Sequence, residues 1–126
     1  PTGSETILFV DDEASVMKLG QRMMERLGYK IDATMSPTDA LERFRSTPDK
    51  YDLVITDMSM PEMTGVALAE ELMSIRADIP VIICTGHSAL IDEEKAKILD
   101  IAAFVMKPFS RQKIAKIIRQ VLDSEN

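Results

Sequence analysis

Asp11-Asp12-Glu13, Asp57 and Lys107-Pro108 each follow directly on a strongly apolar run of strand length. A carboxylate pair, a lone carboxylate and a lysine at successive strand ends make one site when those ends lie side by side. Two or three carboxylates a few ångströms apart repel by about 1 kcal/mol per pair in water and about 4 kcal/mol at an effective dielectric of about 20. A divalent cation relieves that repulsion. Oxygen donors from side chains, a backbone carbonyl and water suit Mg²⁺, with Mn²⁺ as a second option, and magnesium commonly pairs one or two carboxylates with a phosphate. Zinc is disfavoured, since the chain holds one histidine, His87, and one cysteine, Cys84. Such a cation together with Lys107 can neutralise a phosphoryl group, and an aspartate carboxylate can act as the nucleophile that forms an aspartyl phosphate. Thr85, at another strand end, would give a hydroxyl donor to a phosphoryl oxygen.

The elements that must bring these residues together are legible in the hydropathy. Runs at 7–10, 53–55, 81–84 and 103–106 are apolar without alternation, as strands are when helices cover both faces of a parallel sheet. A fifth run alternates Ile31, Ala33, Met35 with Lys30, Asp32, Thr34, which suits a sheet edge. Helical periods lie between them. Val16, Leu19, Met23 and Leu27 form a stripe that ends at Gly28, placed as a left-handed cap. Ser36 before Pro37 reads as an N-cap with proline in the first turn, opening a helix with Ala40, Leu41 and Phe44. Leu68, Ala69, Leu72 and Met73 mark a third helix. Ile114, Ile117, Ile118, Val121 and Leu122 mark the last, with Ser110 as its N-cap. The segment 88–99 is the weakest helix, because Asp92-Glu93-Glu94-Lys95 interrupts its apolar face, and it is expected to be the most mobile.

Fivefold βα alternation predicts an α/β fold with a doubly wound, five-stranded parallel sheet. Ligands in such sheets bind beyond the carboxyl ends of the strands, where the strand order reverses. With the order 2-1-3-4-5 that point falls between the first and third strands. Asp11, Asp12 and Asp57 would meet there, flanked by Thr85 and Lys107.

Composition narrows the class. The chain has 126 residues, one ordinary domain, and a formal net charge of −6 with pI near 4.8, which disfavours a phosphate-binding nucleic-acid surface. A lone cysteine rules out a disulfide within the chain and fits a reducing cytosol. No apolar run approaches the roughly 20 residues of a membrane span, and no signal peptide is visible.

The chain resembles the receiver domain of two-component response regulators, which have a flavodoxin-like fold, over about residues 5–122. The matching pieces are Ile7-Leu8-Phe9-Val10-Asp11-Asp12-Glu13, Tyr51-Asp52-Leu53-Val54-Ile55-Thr56-Asp57-Met58-Ser59-Met60-Pro61-Glu62-Met63-Thr64-Gly65, Cys84-Thr85-Gly86 and Phe104-Val105-Met106-Lys107-Pro108-Phe109. The resemblance implies that Asp57 is the phosphoacceptor, Asp12 a direct metal ligand, Asp11 a ligand through water and the Ser59 carbonyl a further ligand. It makes Thr85 and Phe104 a switch pair, Lys107 the binder of phosphoryl oxygens and Lys107-Pro108 a cis peptide. The donor would be a phosphohistidine on a histidine kinase or phosphotransfer domain. The domain would promote its own phosphorylation without being a turnover enzyme. Homodimerisation would use the face formed by the 88–99 helix, the fifth strand and the last helix.

The opening Pro1-Thr2-Gly3-Ser4, without an initiator methionine, reads as part of a longer polypeptide, with 1–4 a linker or cloning remnant and 5–126 the receiver. The start of the first strand, the Leu27-Gly28-Tyr29 turn and Cys84-Thr85-Gly86-His87-Ser88 are more similar to receivers of hybrid histidine kinases than to those preceding DNA-binding domains. A cytoplasmic location, tethered if the parent kinase is membrane-bound, goes with that origin. Three details depart from the common receiver pattern: Asp100 stands where glycine is frequent, Ser59 and His87 occupy variable positions, and Phe104 lacks a tyrosine hydroxyl, so a switch would work by packing alone.

Each residue also has a plainer role. Asp11 and Asp12 can cap the first helix, Asp57 can be a turn residue, Lys107 a surface charge, and Thr85 an ordinary strand-end threonine. Phe104 taken alone reads as core. His87 reads as a loop-edge residue, Cys84 as a small buried hydrophobe, and Arg111, Lys113, Lys116 and Arg119 as a solvated helix face. The methionines fill core, although Met58, Met60 and Met63 beside the site suit an adaptable contact surface. The leading function is a Mg²⁺-dependent phosphoacceptor. A pseudo-receiver that signals by contact alone is the alternative, disfavoured by the complete acid set. An aspartate-nucleophile phosphatase would want a second acid where Ser59 stands.

Overall fold

The computed structural model describes residues 2–86, 100–108 and 110–124. The helix expected over 88–99, His87 and Phe109 lie outside the described residues. Five parallel strands, β1 (Thr6–Val10), β2 (Lys30–Thr34), β3 (Leu53–Asp57), β4 (Val81–Thr85) and β5 (Ala103–Met106), form one sheet in the order β2-β1-β3-β4-β5. Helices α1 (Ala14–Arg26), α2 (Pro37–Ser46), α3 (Gly65–Ile75) and α4 (Arg111–Ser124) alternate with them, and a short 3₁₀ turn spans Pro48–Lys50.

Successive strand residues face opposite sides, so each strand feeds two cores. Leu8, Val10, Val54 and Ile83 pack with Phe44 of α2 and Leu68 and Leu72 of α3. Ile7, Phe9, Ile55, Ile82 and Val105 pack with Met24 of α1 and Ile114 and Ile118 of α4. Both faces being dry is the reason the central strands show no hydropathy alternation. Edge strand β2 keeps Lys30 exposed and Ile31 and Ala33 on the α1–α4 side.

Helix ends follow local chemistry. The Ser36 hydroxyl accepts from the Asp39 N–H at 3.2 Å, Thr64 accepts from Ala67 at 3.1 Å and Ser110 accepts from Lys113 at 3.1 Å. Gly28 ends α1 at φ 102°, and Asp100 enters β5 at φ 61°, a left-handed conformation that aspartate tolerates better than most residues.

The face of α1 differs from the expected stripe. Gly20 and Met24 are its buried residues, and Met17 and Leu27 pack against the core, whereas Leu19 is 59% exposed. The true stripe runs Met17, Gly20, Met24, Leu27. Gly20 has no side chain to register in a hydropathy pattern, so the period locks onto Leu19 and Met23, turned by roughly 100°.

The chain before β1 is tied down at Gly3, whose N–H donates to the Leu27 carbonyl at 3.0 Å. Arg119 of α4, expected on a solvated face, instead bonds Glu5 at 2.8 Å and Asp123 at 2.5 Å. Burial works against the Glu5 charge, but the Arg119 guanidinium and backbone donors outweigh it and hold the carboxyl below its usual value.

Candidate functional site

Register sets the site. Val10 pairs with Thr56, so the next residues, Asp11 and Asp57, stand level at the carboxyl ends of β1 and β3. Asp57 also pairs with Cys84, and Thr85 with Met106, which puts Thr85 and Lys107 at the same rim. The Asp11 N–H donates to the Thr34 carbonyl at 3.2 Å, and its Oδ1 accepts from the Glu13 N–H at 3.0 Å. Asp11 therefore caps the β1–α1 turn while its other oxygen faces the pocket.

One carboxylate oxygen from each of Asp11, Asp12 and Asp57 lies within 4.8 Å of the other two. Asp11 is 1% and Asp57 6% exposed. Lys107 Nζ sits 2.8 Å from Asp11 Oδ2 and 2.8 Å from Asp57 Oδ1. Three carboxylates against one ammonium leave two negative charges uncompensated. Burial raises the Asp57 pKa; the Lys107 hydrogen bond opposes that rise without cancelling it, and the charges of Asp11 and Asp12 add to it. Burial works against the Lys107 charge, but its bonds to Asp11 and Asp57 win and raise its pKa. The neighbouring Cys84 thiol is pushed up to about 12 by burial, so it is inert as a nucleophile.

The loop after Asp57 is held from inside. The Met58 N–H donates to the Cys84 carbonyl at 2.9 Å, and the Gly65 N–H to the Met58 carbonyl at 2.8 Å. A Cβ on Gly65 would stand 2.5 Å from the Asp57 carbonyl oxygen, so glycine lets α3 start against the strand end. Met58 and Met60 are 3% and 8% exposed. The expected methionine contact surface is thus corrected: the chain alternates inward at these two positions to seal the loop onto the core, while Ser59 between them is exposed.

Thr85 is 7% exposed and its carbonyl accepts the Lys107 N–H at 2.8 Å. Phe104 is partly buried against the α2–α3 core. The Lys107–Pro108 peptide is cis. Two features have no counterpart in the sequence expectations. One is the direct bond from Lys107 to Asp11. The other is Glu62, whose carboxylate accepts from Ser36 at 2.9 Å and from Thr38 at 3.2 Å. Ser36 carries the helix-start signal, and nothing in the spacing indicates that an acid from another loop shares it.

An oxygen-rich acidic pocket with one lysine, at the switch point of a 2-1-3-4-5 sheet, defines a flavodoxin-like α/β domain with its site where such sheets bind ligands. The chain belongs to the response regulator receiver domain family, whose model matches residues 7–119. It is 32% identical over 128 residues to the sensor kinase CckA of Brucella abortus, covering 99% of this chain and 13% of that protein. It is 31% identical over 116 residues to the probable transcriptional regulator ycf27 of Cyanidium caldarium, covering 92% of this chain and 45% of that one. The chain thus spans less than half the length of these relatives. The crystal structure of a response regulator receiver domain protein from Clostridium thermocellum superposes with a TM-score of 0.90 at 28% identity, over 96% of each chain.

Proposed function

We propose that this receiver domain accepts a phosphoryl group from a phosphohistidine of a histidine kinase or phosphotransfer domain onto Asp57, with Mg²⁺ in the acidic pocket. The observation that carries the reading is the Lys107 bridge between Asp11 and Asp57, with Asp12 in reach of both. The donor set fits a hard cation: all side-chain donors are oxygens, and the two uncompensated charges match a divalent ion. Asp11, Asp12 and Asp57 would hold it, with the Ser59 carbonyl. Bound there, Mg²⁺ would screen the repulsion between the carboxylate and incoming phosphoryl oxygens.

The residues divide the chemistry. An Asp57 carboxylate oxygen attacks phosphorus, the P–N bond to the donor imidazole breaks, and its electron pair returns to the ring nitrogen. Asp57 is suited to the attack because it stays close to Lys107, whose ammonium can turn from carboxylate to phosphoryl oxygens without leaving the pocket. Thr85, at the same rim, supplies its hydroxyl to the phosphoryl group, and Phe104 repacks as that hydroxyl moves. The product carries a charge of about −1.5 to −2 in place of −1, which alters the balance at Lys107 and propagates through β5.

The domain does not turn over a substrate on its own. Residues 5–126 would be the receiver of a longer cytoplasmic or membrane-tethered protein, and the similarity to CckA supports a hybrid kinase parent. No described helix is long and apolar enough to cross a membrane. Incubation with acetyl phosphate and Mg²⁺ should add one phosphoryl group by intact mass. Retention of that adduct in Asp57→Asn would reject the assignment.

A further inference from the structure

The β3–α3 loop is braced from outside as well as from inside. Glu62 reaches across it to the start of α2, where Ser36 Oγ donates to Oε1 at 2.9 Å and Thr38 Oγ1 to Oε2 at 3.2 Å. The two hydroxyls stand 3.0 Å apart, so they present a matched pair to one carboxylate. Hydrogen bonds to an ionised acceptor are about twice as strong as neutral ones, and the α2 N-terminus favours a negative charge.

The receiving end of this brace is itself fixed. The Ser36 N–H donates to Thr34 Oγ1 at 3.2 Å, and the Thr34 hydroxyl donates to Asp39 Oδ2 at 2.8 Å. Asp39 is paired with Arg43 at 2.8 Å. The Thr34 carbonyl, in turn, receives the Asp11 N–H. A continuous line of polar contacts therefore runs from the backbone of one pocket acid, through the β2–α2 turn, to the loop that carries Ser59. Met58, bonded to the Cys84 carbonyl, anchors the chain just before Ser59, and buried Met60 and clamped Glu62 hold it one and three residues after.

We propose that Glu62 is a positioning residue for the pocket: its clamp on Ser36 and Thr38 holds the β3–α3 loop, and with it the Ser59 carbonyl, in register with Asp11 and Asp57. This rests on the reading of the pocket as a Mg²⁺ site. Glu62 does not itself touch the pocket acids in the contacts described, so its effect is on affinity for the ion and not on the attack at phosphorus.

The test is calorimetric titration of the domain with MgCl₂. Loss of a group bonded directly to a metal ligand weakens binding by about 10-fold or more; Glu62 acts one step removed, through the loop backbone, so the low end of that range, about 10-fold, is expected for Glu62→Ala. Removing a negative charge would also weaken binding, so Ser36→Asp is the sharper variant. Aspartate keeps the helix cap and adds negative charge, yet it repels Glu62. If the clamp positions the loop, Ser36→Asp also weakens Mg²⁺ by about 10-fold, and Ser36→Asp with Glu62→Gln, which restores a donor–acceptor pair, returns to within about twofold of wild type. In EDTA all variants should melt within about 3 °C of wild type, as exposed substitutions do. Unchanged or tighter Mg²⁺ binding in Ser36→Asp overturns the proposal, as does failure of the double variant to recover. A wild-type domain that takes up no Mg²⁺ overturns the ion reading, and the clamp's role with it, and is seen in the first titration.

Discussion

Lys107 and Asp11 are 96 positions apart in the chain and meet at 2.8 Å, with the Asp11 carboxylate almost wholly buried. One ammonium thus holds two buried acids, since Asp57 shares it at the same distance. Removing one partner of a buried pair destabilises by about 3 kcal/mol or more, because the remaining charge has neither water nor counterion. Lys107→Met should lose about that much at neutral pH in EDTA by urea unfolding. Adding Mg²⁺ should recover part of the loss, and equal losses with and without the ion would contradict the shared-charge picture.

Asp57 gives the opposite sign. Its pKa is raised in the folded state, by burial first, against the pull of Lys107. Between the unfolded and folded values the native state binds more protons, so stability falls as pH rises through that window and stays lower above it. Asp57→Asn removes the charge. It should stabilise the metal-free domain at neutral pH by about 1 kcal/mol, the order of one like-charge pair, and the gain should vanish below the unfolded carboxylate range. Thermal melts across acid and neutral pH in EDTA would show it, and a domain destabilised by Asp57→Asn at neutral pH would refute the sign.

The strands, their order and the rim residues could be read from the sequence because they depend on short-range signals: four unbroken apolar runs, three of them leading within two residues to a charged side chain and one to Thr85. Ser36, Gly28 and Ser110 were likewise legible, since capping is decided within a few positions. What could not be read depended on absent or shared side chains. Gly20 sets the buried face of α1 by having nothing to bury, which a hydropathy period cannot register. Met58 and Met60 look like a sticky pair in sequence, and only the fold shows both turned inward. The Lys107 bond to Asp11 and the Glu62 clamp join elements 96 and up to 26 positions apart, and no periodicity links such partners.

Gly65 tests how the pocket is built. A methyl there would press to 2.5 Å from the Asp57 carbonyl oxygen, and backbone on both sides cannot yield as a flexible side chain can. Overpacking of this kind destabilises by about 1–3 kcal/mol, against the slight gain alanine brings to a helix interior. Gly65→Ala should therefore lose about 2 kcal/mol and, by shifting Asp57, slow its phosphorylation by acetyl phosphate. A variant as stable and as reactive as wild type would show that α3 can back away freely.

Gly28 and Gly3 interlock at the opposite end of the sheet. Gly28 has φ 102°, and a Cβ on it would lie 2.3 Å from the Gly3 carbonyl oxygen, so Gly28→Ala combines two penalties. The left-handed backbone costs an L-residue about 1–2 kcal/mol. The clash adds a second increment that exists only while Gly3 is docked on Leu27. Shortening the chain to begin at Ser4 removes the clash and the Gly3 hydrogen bond but leaves the backbone conformation. Gly28→Ala should thus lose about 3 kcal/mol in the full chain and about 1–2 kcal/mol in the shortened one, measured as a double-mutant cycle by urea unfolding. Equal losses in both backgrounds would mean that Gly3 swings away without penalty and that the residues before β1 contribute no packing to the domain.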